Sequence, residues 1–181
     1  MNIFYIDRNP VTAAKAMTDK HVVKMILESA QLLSTAHRVL DGIPTVVLSK
    51  SGARLTRYAH SNDVLYKSTH INHPSAIWCR QSVPNYEWLY KHFCALCDEY
   101  TARYGKVHAT DQRLRSVLAT PPTALSSDRP TVMPCAMPDE YKYEGDPVRA
   151  YRHYYIKEKL HMPNDIARFY DTLDIDITTN F

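Results

Sequence analysis

Within residues 19–33, DKHVVKMILESAQLL, four side chains able to do chemistry recur at three- and four-residue intervals: His21, Lys24, Glu28 and Gln31. At about 100° per residue they fall inside an arc of roughly 80°, which Thr35 and Arg38 prolong. Almost everything else in the stretch is apolar. The spacing therefore predicts a helix wrapped by protein on most sides, with one narrow polar strip exposed or lining a cleft. On such a strip Glu28 can serve as a general base or stabilise a developing cation, while Lys24 tunes its ionisation or holds a phosphate. An i, i+4 Lys24–Glu28 pair is also a common surface ion pair, but the narrowness of the strip argues for more than that.

Two further constellations carry polar chemistry. In STHINHPSAIWCRQS, residues 68–82, His70, Asn72, His73, Trp78 and Arg80 crowd a Pro-opened helix start, where free backbone N–H groups favour an anion. Capping and core packing by Asn72, His73 and Trp78 is the competing reading. Together with His60 these histidines invite a metal, yet their spacing matches no ligand set and no carboxylate lies between His70 and His73, so no metal is expected. In PVRAYRHYYIKEKLH, residues 147–161, Arg149, Arg152, His153, Lys157 and Lys159 interleave with Tyr151, Tyr154 and Tyr155. That mixture tracks phosphates and stacks bases, although amphipathic core helices use Tyr in the same way. The acidic residues that follow, Asp171, Asp174 and Asp176, would repel a nucleic-acid backbone and belong elsewhere.

The elements that must position these groups are mainly helical, because several long stretches follow the 3.6-residue period. Helices are expected at 11–17, 18–40, 84–104, 111–118 and 147–160. Gly42 should end the second in a left-handed cap, and Gly105 lies behind the last turn of the third. Between 43 and 73 the pattern dissolves, with TVVLS a possible short strand lacking any evident partner. A Pro-rich stretch at 119–146 has no periodicity and reads as an irregular strap across the helices. The expectation is one helical domain over 1–181, with a tail at 171–181 and no internal repeat.

Totals narrow the classes. The chain has 181 residues, 45% hydrophobic and 23% charged, which suits a globular domain. No run of about 18 apolar residues occurs and MNIFYIDRNP lacks signal-peptide order, so an intracellular monomer without membrane contact is expected. A net charge of +3 permits nucleic-acid binding without demanding it, so local charge must decide. Cys79, Cys94, Cys97 and Cys135 suit a reduced compartment, and Cys94 and Cys97 sit inside a helical run where packing explains them. Nucleophile elbows, phosphate-binding Gly loops and dinucleotide fingerprints are absent, and no cofactor is expected. An enzyme built this way draws its nucleophile from water, a lysine or the chain's own α-amine.

In order and spacing, the chain resembles the phage pyrimidine-dimer DNA glycosylases and their small bacterial and viral relatives. The likeness rests on a short N-terminal lead, the helix with His21 and Glu28 seven apart, NHPSAIW, and the aromatic helix ending CDEYTARYGK, together about residues 1–106. Lys24, Glu28 and Gln31 are similar in order to a motif of the bacterial relatives, and RAYRHYYIKEK is similar to a Tyr-rich basic segment of the family. The resemblance implies that Glu28 is the catalytic carboxylate, that the N-terminal amine attacks the sugar C1′ to form a Schiff base, and that His21 lines the DNA-facing site. An α-amine, with a reference pKa of about 7.7 to 8, suits that attack better than an ordinary lysine. Asn2 is bulkier than the small residue exposed after Met removal in the family, which makes Met1 itself the candidate amine. Lys24 or Lys20 is the alternative, or Glu28 activating water alone. The expected function is a phage-type DNA N-glycosylase, with or without AP-lyase activity, acting on damaged or modified pyrimidines. Catalysis would fall to Glu28, Met1, Lys24 and His21. Substrate contacts would come from Gln31, Asn72, His73, Trp78 and Arg80, and from Arg149, Arg152, Tyr155 and Lys157. Two rivals stand beside it: an enzyme acting on free nucleotides or in base modification, and a non-enzymatic nucleic-acid-binding protein.

Overall fold

A computed structural model describes residues 1–176 and 178 and is about half helical. Helices α1 (Pro10–Lys15) and α2 (Asp19–Asp41) are followed by strands β1 (Ile43–Leu48) and β2 (Arg54–Ala59). Then come α3 (Pro74–Cys79), α4 (Val83–Tyr104), α5 (Ala109–Leu114), α6 (Pro147–Glu158) and α7 (Pro163–Leu173). No helix among the described residues is long and apolar enough to cross a membrane.

The long helices form where their ends are satisfied and their apolar stripes find partners. Thr18 caps α2 by accepting the His21 N–H at 3.2 Å, and Ser82 caps α4 by accepting that of Asn85 at 3.3 Å. Gly105, at φ 64°, closes α4 in the left-handed conformation. Val22, Met25, Ile26, Leu32 and Leu33 of α2 pack against Tyr86, Leu89, Phe93 and Leu96 of α4, with Ile3 and Ile6 of the N-terminal lead fully buried in the same core. Burial of this kind contributes roughly 1.5–3 kcal/mol for each large apolar side chain.

Several elements differ from the sequence reading. Gly42 is not left-handed (φ −90°); a Cβ there would lie 2.3 Å from the Arg38 carbonyl and 2.6 Å from that of Ala59, so glycine is required by close approach. The segment after it is an antiparallel hairpin, with Ile43 opposite Ala59 and Leu48 opposite Arg54. Its side chains are exposed on both faces, so no alternation of polarity marks the strands in the sequence. Helix α7 was not foreseen and reaches Leu173, past the start of the expected acidic tail; residues 177 and 179–181 of that tail lie outside the described residues. Phe169 holds α7 in place by stacking on Tyr155 of α6 at 5.6 Å.

Residues 119–146 contain one short 3₁₀ turn, Asp139–Tyr141, and are tied down through polar side chains of the helices. Both Asp41 carboxylate oxygens accept backbone N–H groups, from Thr123 at 2.7 Å and Ala124 at 2.9 Å. Asn85 exchanges bonds with Thr131, and the Trp78 indole donates to the Thr131 carbonyl at 3.1 Å. The Tyr151 hydroxyl donates to Pro134 O at 2.9 Å and accepts Ala136 N–H at 3.2 Å.

Candidate active site

The polar strip of α2 meets the chain's own N-terminus. Glu28 Oε2 accepts the Asn2 amide N–H at 3.1 Å and lies 3.9 Å from the Met1 α-nitrogen, while Oε1 faces Lys24 Nζ at 3.3 Å. The carboxylate side chain is 14% exposed, so two cations converge on it where water screens them only partly. Met1 is held by its own side chain, which is 3% exposed although the residue as a whole is only half-buried. What it leaves accessible is the backbone end that carries the amine.

Asn2 fixes that geometry. Its Oδ1 accepts the N–H groups of Ile3 at 2.8 Å and Phe4 at 3.3 Å, and its Nδ2 donates to Ala136 O at 2.9 Å. Phe4 turns the lead with a positive φ of 55°, a conformation that side chains disfavour, and spends its ring in a stack on His21 at 4.7 Å. The result is a cleft of about 290 Å³ lined by Met1, Glu28, Lys24, His21, Tyr154 and Lys159. A neighbouring cleft of about 410 Å³ shares His21, Lys24 and Lys159.

His21 is a neutral base here. Burial first, then Lys24 and Lys159, push its pKa down to about 4, with Glu28 opposing. Its Nδ1 sits 2.8 Å from the Tyr155 hydroxyl. Burial raises the Tyr155 pKa, so the phenol keeps its proton; the same hydroxyl accepts Thr18 N–H at 3.0 Å and lies 3.5 Å from Thr18 Oγ1. An uncharged imidazole thus belongs to the catalytic neighbourhood rather than a further cation.

The other anticipated residues fall into three settings. His73 caps α3, accepting Ser75 N–H on Nδ1 at 3.2 Å; its pKa is lowered by burial and then by the N-terminal amine and His70, with Glu28 opposing, which places it within electrostatic reach of the cleft. Gln31 is half-buried on the same helix strip and Asn72 is exposed beside His73. Trp78 is buried against Thr131, Tyr155 is fully buried beneath His21, and Arg152 is bound to Ile6 O at 2.8 Å and to Asp7 at 2.9 Å. Arg149 stacks on Tyr143 at 4.3 Å and Lys157 points to solvent. Arg80 stands apart, half-buried, with Nη1 enclosed and unpartnered among the described residues.

Asn2, Phe4, Tyr154 and Lys159 line the cleft without having been singled out for it. Tyr154 and Lys159 were visible as members of a basic, aromatic run, and Lys159 Nζ lies 4.9 Å above the Tyr154 ring. Which side of that run meets the site is a tertiary fact.

One cluster elsewhere has metal-like composition: ligand atoms of His37, Asp41 and His60 lie within 4.8 Å of one another. Hydrogen bonds account for it. Tyr86 donates to Leu118 O at 2.9 Å and so accepts from His37 Nε2 at 2.8 Å, while His60 Nδ1 accepts Asn62 N–H at 3.0 Å. With its Nδ1 lone pair taken up by that bond, the His60 imidazole carries a hydrogen on Nε2 and has no second lone pair for an ion.

A family model described as pyrimidine dimer DNA glycosylase matches residues 1–113. No curated protein and no solved structure matches the chain with significance.

Proposed function

The chain belongs to the pyrimidine dimer DNA glycosylase family, and on that premise we propose that it cleaves the N-glycosidic bond of damaged or modified pyrimidines in DNA through an imine on its own α-amine. The observation that carries this reading is the Met1 amine, anchored by a buried side chain, 3.9 Å from the shielded Glu28 carboxylate. A DNA glycosylase activity follows from the family; the amine, the lyase step and the lesion are the proposal.

In the proposed reaction the neutral amine donates its lone pair to C1′ of a nucleotide extruded from the duplex. The electrons of the glycosidic bond leave with the base, which takes up a proton. Glu28 accepts a proton from the attacking nitrogen and stabilises positive charge on the sugar. Opening of the sugar ring then gives a protonated imine, which makes the C2′ proton acidic enough for β-elimination of the 3′ phosphate. His21 offers a neutral imidazole to the extruded nucleotide, while Lys24 and Lys159 favour its flanking phosphates. Residues 134–136 fix the terminus through Asn2, as the strap of a single helical domain.

Borohydride trapping on a duplex carrying an abasic site tests this, with peptide mapping of the adduct. The expected adduct maps to Met1, and Glu28→Gln lowers the trapping rate by roughly a hundredfold or more. An adduct on Lys20 or Lys24 would reassign the nucleophile. Absence of any adduct, or full trapping by Glu28→Gln, would overturn the reading.

A further inference from the structure

Some cations of this chain are neutralised by neighbouring carboxylates and others are not. Arg103, Arg115, Arg152 and Arg168 each meet a carboxylate within 3.0 Å. Among the described residues no ion pair reaches Arg38, Lys50, Arg54, Arg57 or Lys67, which surround the hairpin and the end of α2. Residues 42–62 contain Lys50, Arg54 and Arg57 with no Asp or Glu, a local excess equal to the +3 of the whole chain. Three cations with no carboxylate between them in the chain, beside a groove that no carboxylate lines, favour an external anion.

The hairpin and α2 enclose a groove of about 350 Å³ that gives this charge a shape. Arg38, Arg57 and Lys67 line it with Thr45, Tyr58 and Ser68, and no carboxylate does. Arg38 is the fixed element: Nε donates to Tyr66 O at 2.6 Å, Nη1 to Tyr58 O at 3.1 Å and Nη2 to Leu65 O at 2.9 Å. Three carbonyls orient the guanidinium but do not neutralise it, and two of its five N–H donors remain for a ligand. Arg57 enters from the opposite wall, paired with Thr45 across the strands.

We infer that this groove seats a backbone phosphate of duplex DNA, making the hairpin a second DNA contact away from the reacting nucleotide. The inference rests on the DNA glycosylase reading and adds a binding region to it. Arg38 lies ten residues beyond Glu28 on the same polar strip, about 15 Å along the helix axis, which corresponds to roughly four base pairs of B-form DNA. The occupant is a polymer because the charge is spread out: β1 has six residues and spans about 20 Å, so Lys50, Arg54 and the groove are neutralised together only by a continuous polyanion. The stem also has the dimensions of a two-stranded ribbon that duplex grooves admit.

The test uses the full chain and a 25-base-pair duplex bearing a tetrahydrofuran abasic analogue, with affinity measured by fluorescence anisotropy across a salt series. For Arg57→Gln/Lys67→Gln, both exposed positions, the slope of log K against log salt falls by about two and affinity at about 0.1 M salt drops roughly tenfold. Lys91→Gln, on α4 beside Glu87, removes a charge from another surface and leaves the slope unchanged. Phosphate-ethylation interference with the unsubstituted protein needs no variant and should mark a phosphate about four base pairs from the analogue. A double variant with the wild-type slope and affinity, or an equal loss in Lys91→Gln, overturns the inference, as does failure of the unsubstituted protein to bind. Borohydride trapping reads the chemistry separately. Glu28-dependent trapping with an unchanged salt slope would leave the glycosylase reading standing without this contact, and slope loss without trapping would do the reverse.

Discussion

The electrostatics of His21 are set by what surrounds it: burial disfavours the imidazolium, Lys24 and Lys159 repel it, and Glu28 only partly compensates. Held down to about 4, the ring stays neutral from pH 5 to pH 8, and an acid limb of activity in that range comes from another group. Removing a nearby cation removes repulsion that acts only on the protonated form, so Lys159→Gln should move the His21 midpoint upward. A histidine ¹⁵N titration reads this directly, and a midpoint that stays put or falls would show that Lys159 does not act on the ring as the structure has it. The same experiment reports the tautomer, and with it whether the Tyr155 hydroxyl donates to Nδ1 or accepts from it. Tyr155 is thereby a positioning residue, and the aromatic residue that reaches the cleft from α6 is its neighbour Tyr154.

At the scale of elements, the site is a meeting of α2, the N-terminal lead and the segment that Tyr151 of α6 pins down. Tyr151→Phe keeps the buried ring but removes the hydroxyl that bonds both Pro134 O and Ala136 N–H, leaving those two only their mutual 3.1 Å bond, a loss of roughly 1 kcal/mol. Urea denaturation measures that loss, and because Ala136 O holds Asn2, imine trapping should slow as well. Unchanged trapping in a destabilised variant would separate the segment from the site. The sequence made α2 legible, since Val22, Met25, Ile26 and Leu33 against Lys24, Glu28 and Gln31 show both a helix and the strip it presents. It also made the Lys24–Glu28 contact legible, which is local. The approach of Met1 was available only through family resemblance, because a partner 26 or 27 residues away leaves no periodic trace. The hairpin escaped because a stem wet on both faces has no alternation to read, and Phe169 of α7 finds its partner Tyr155 only in three dimensions. Between Tyr154 and Tyr155 the choice was not local either, since adjacent residues on a helix differ by about 100° and tertiary packing decides which is inside.

For the whole molecule, the placement of histidines makes stability depend on pH in one direction. His92 of α4 is fully buried against the Trp88 ring at 5.1 Å; its Nδ1 donates to Pro10 O at 2.9 Å, and its Nε2 is enclosed without a partner among the described residues. Protonating Nε2 would bury a charged donor with no acceptor, and desolvation lowers the pKa to about 4 from an ordinary value of 6.5. The unfolded chain therefore binds a proton that the folded one refuses. The stability contributed by neutral His92 is complete above about pH 6.5 and is lost as pH falls toward 4, at about 1.4 kcal/mol per pH unit within that window. His21, lowered to about 4, and the lowered pKa values of His37, His73 and His108 act in the same direction. Urea denaturation at pH 7.5 and 4.5 should show a marked fall in unfolding free energy across that interval. His92→Leu should shrink the difference while lowering stability at pH 7.5, where the bond to Pro10 is lost. An equal pH difference in His92→Leu and the unsubstituted protein would assign the acid sensitivity to the other histidines, and a protein equally stable at both values would show that none of them is held neutral as described.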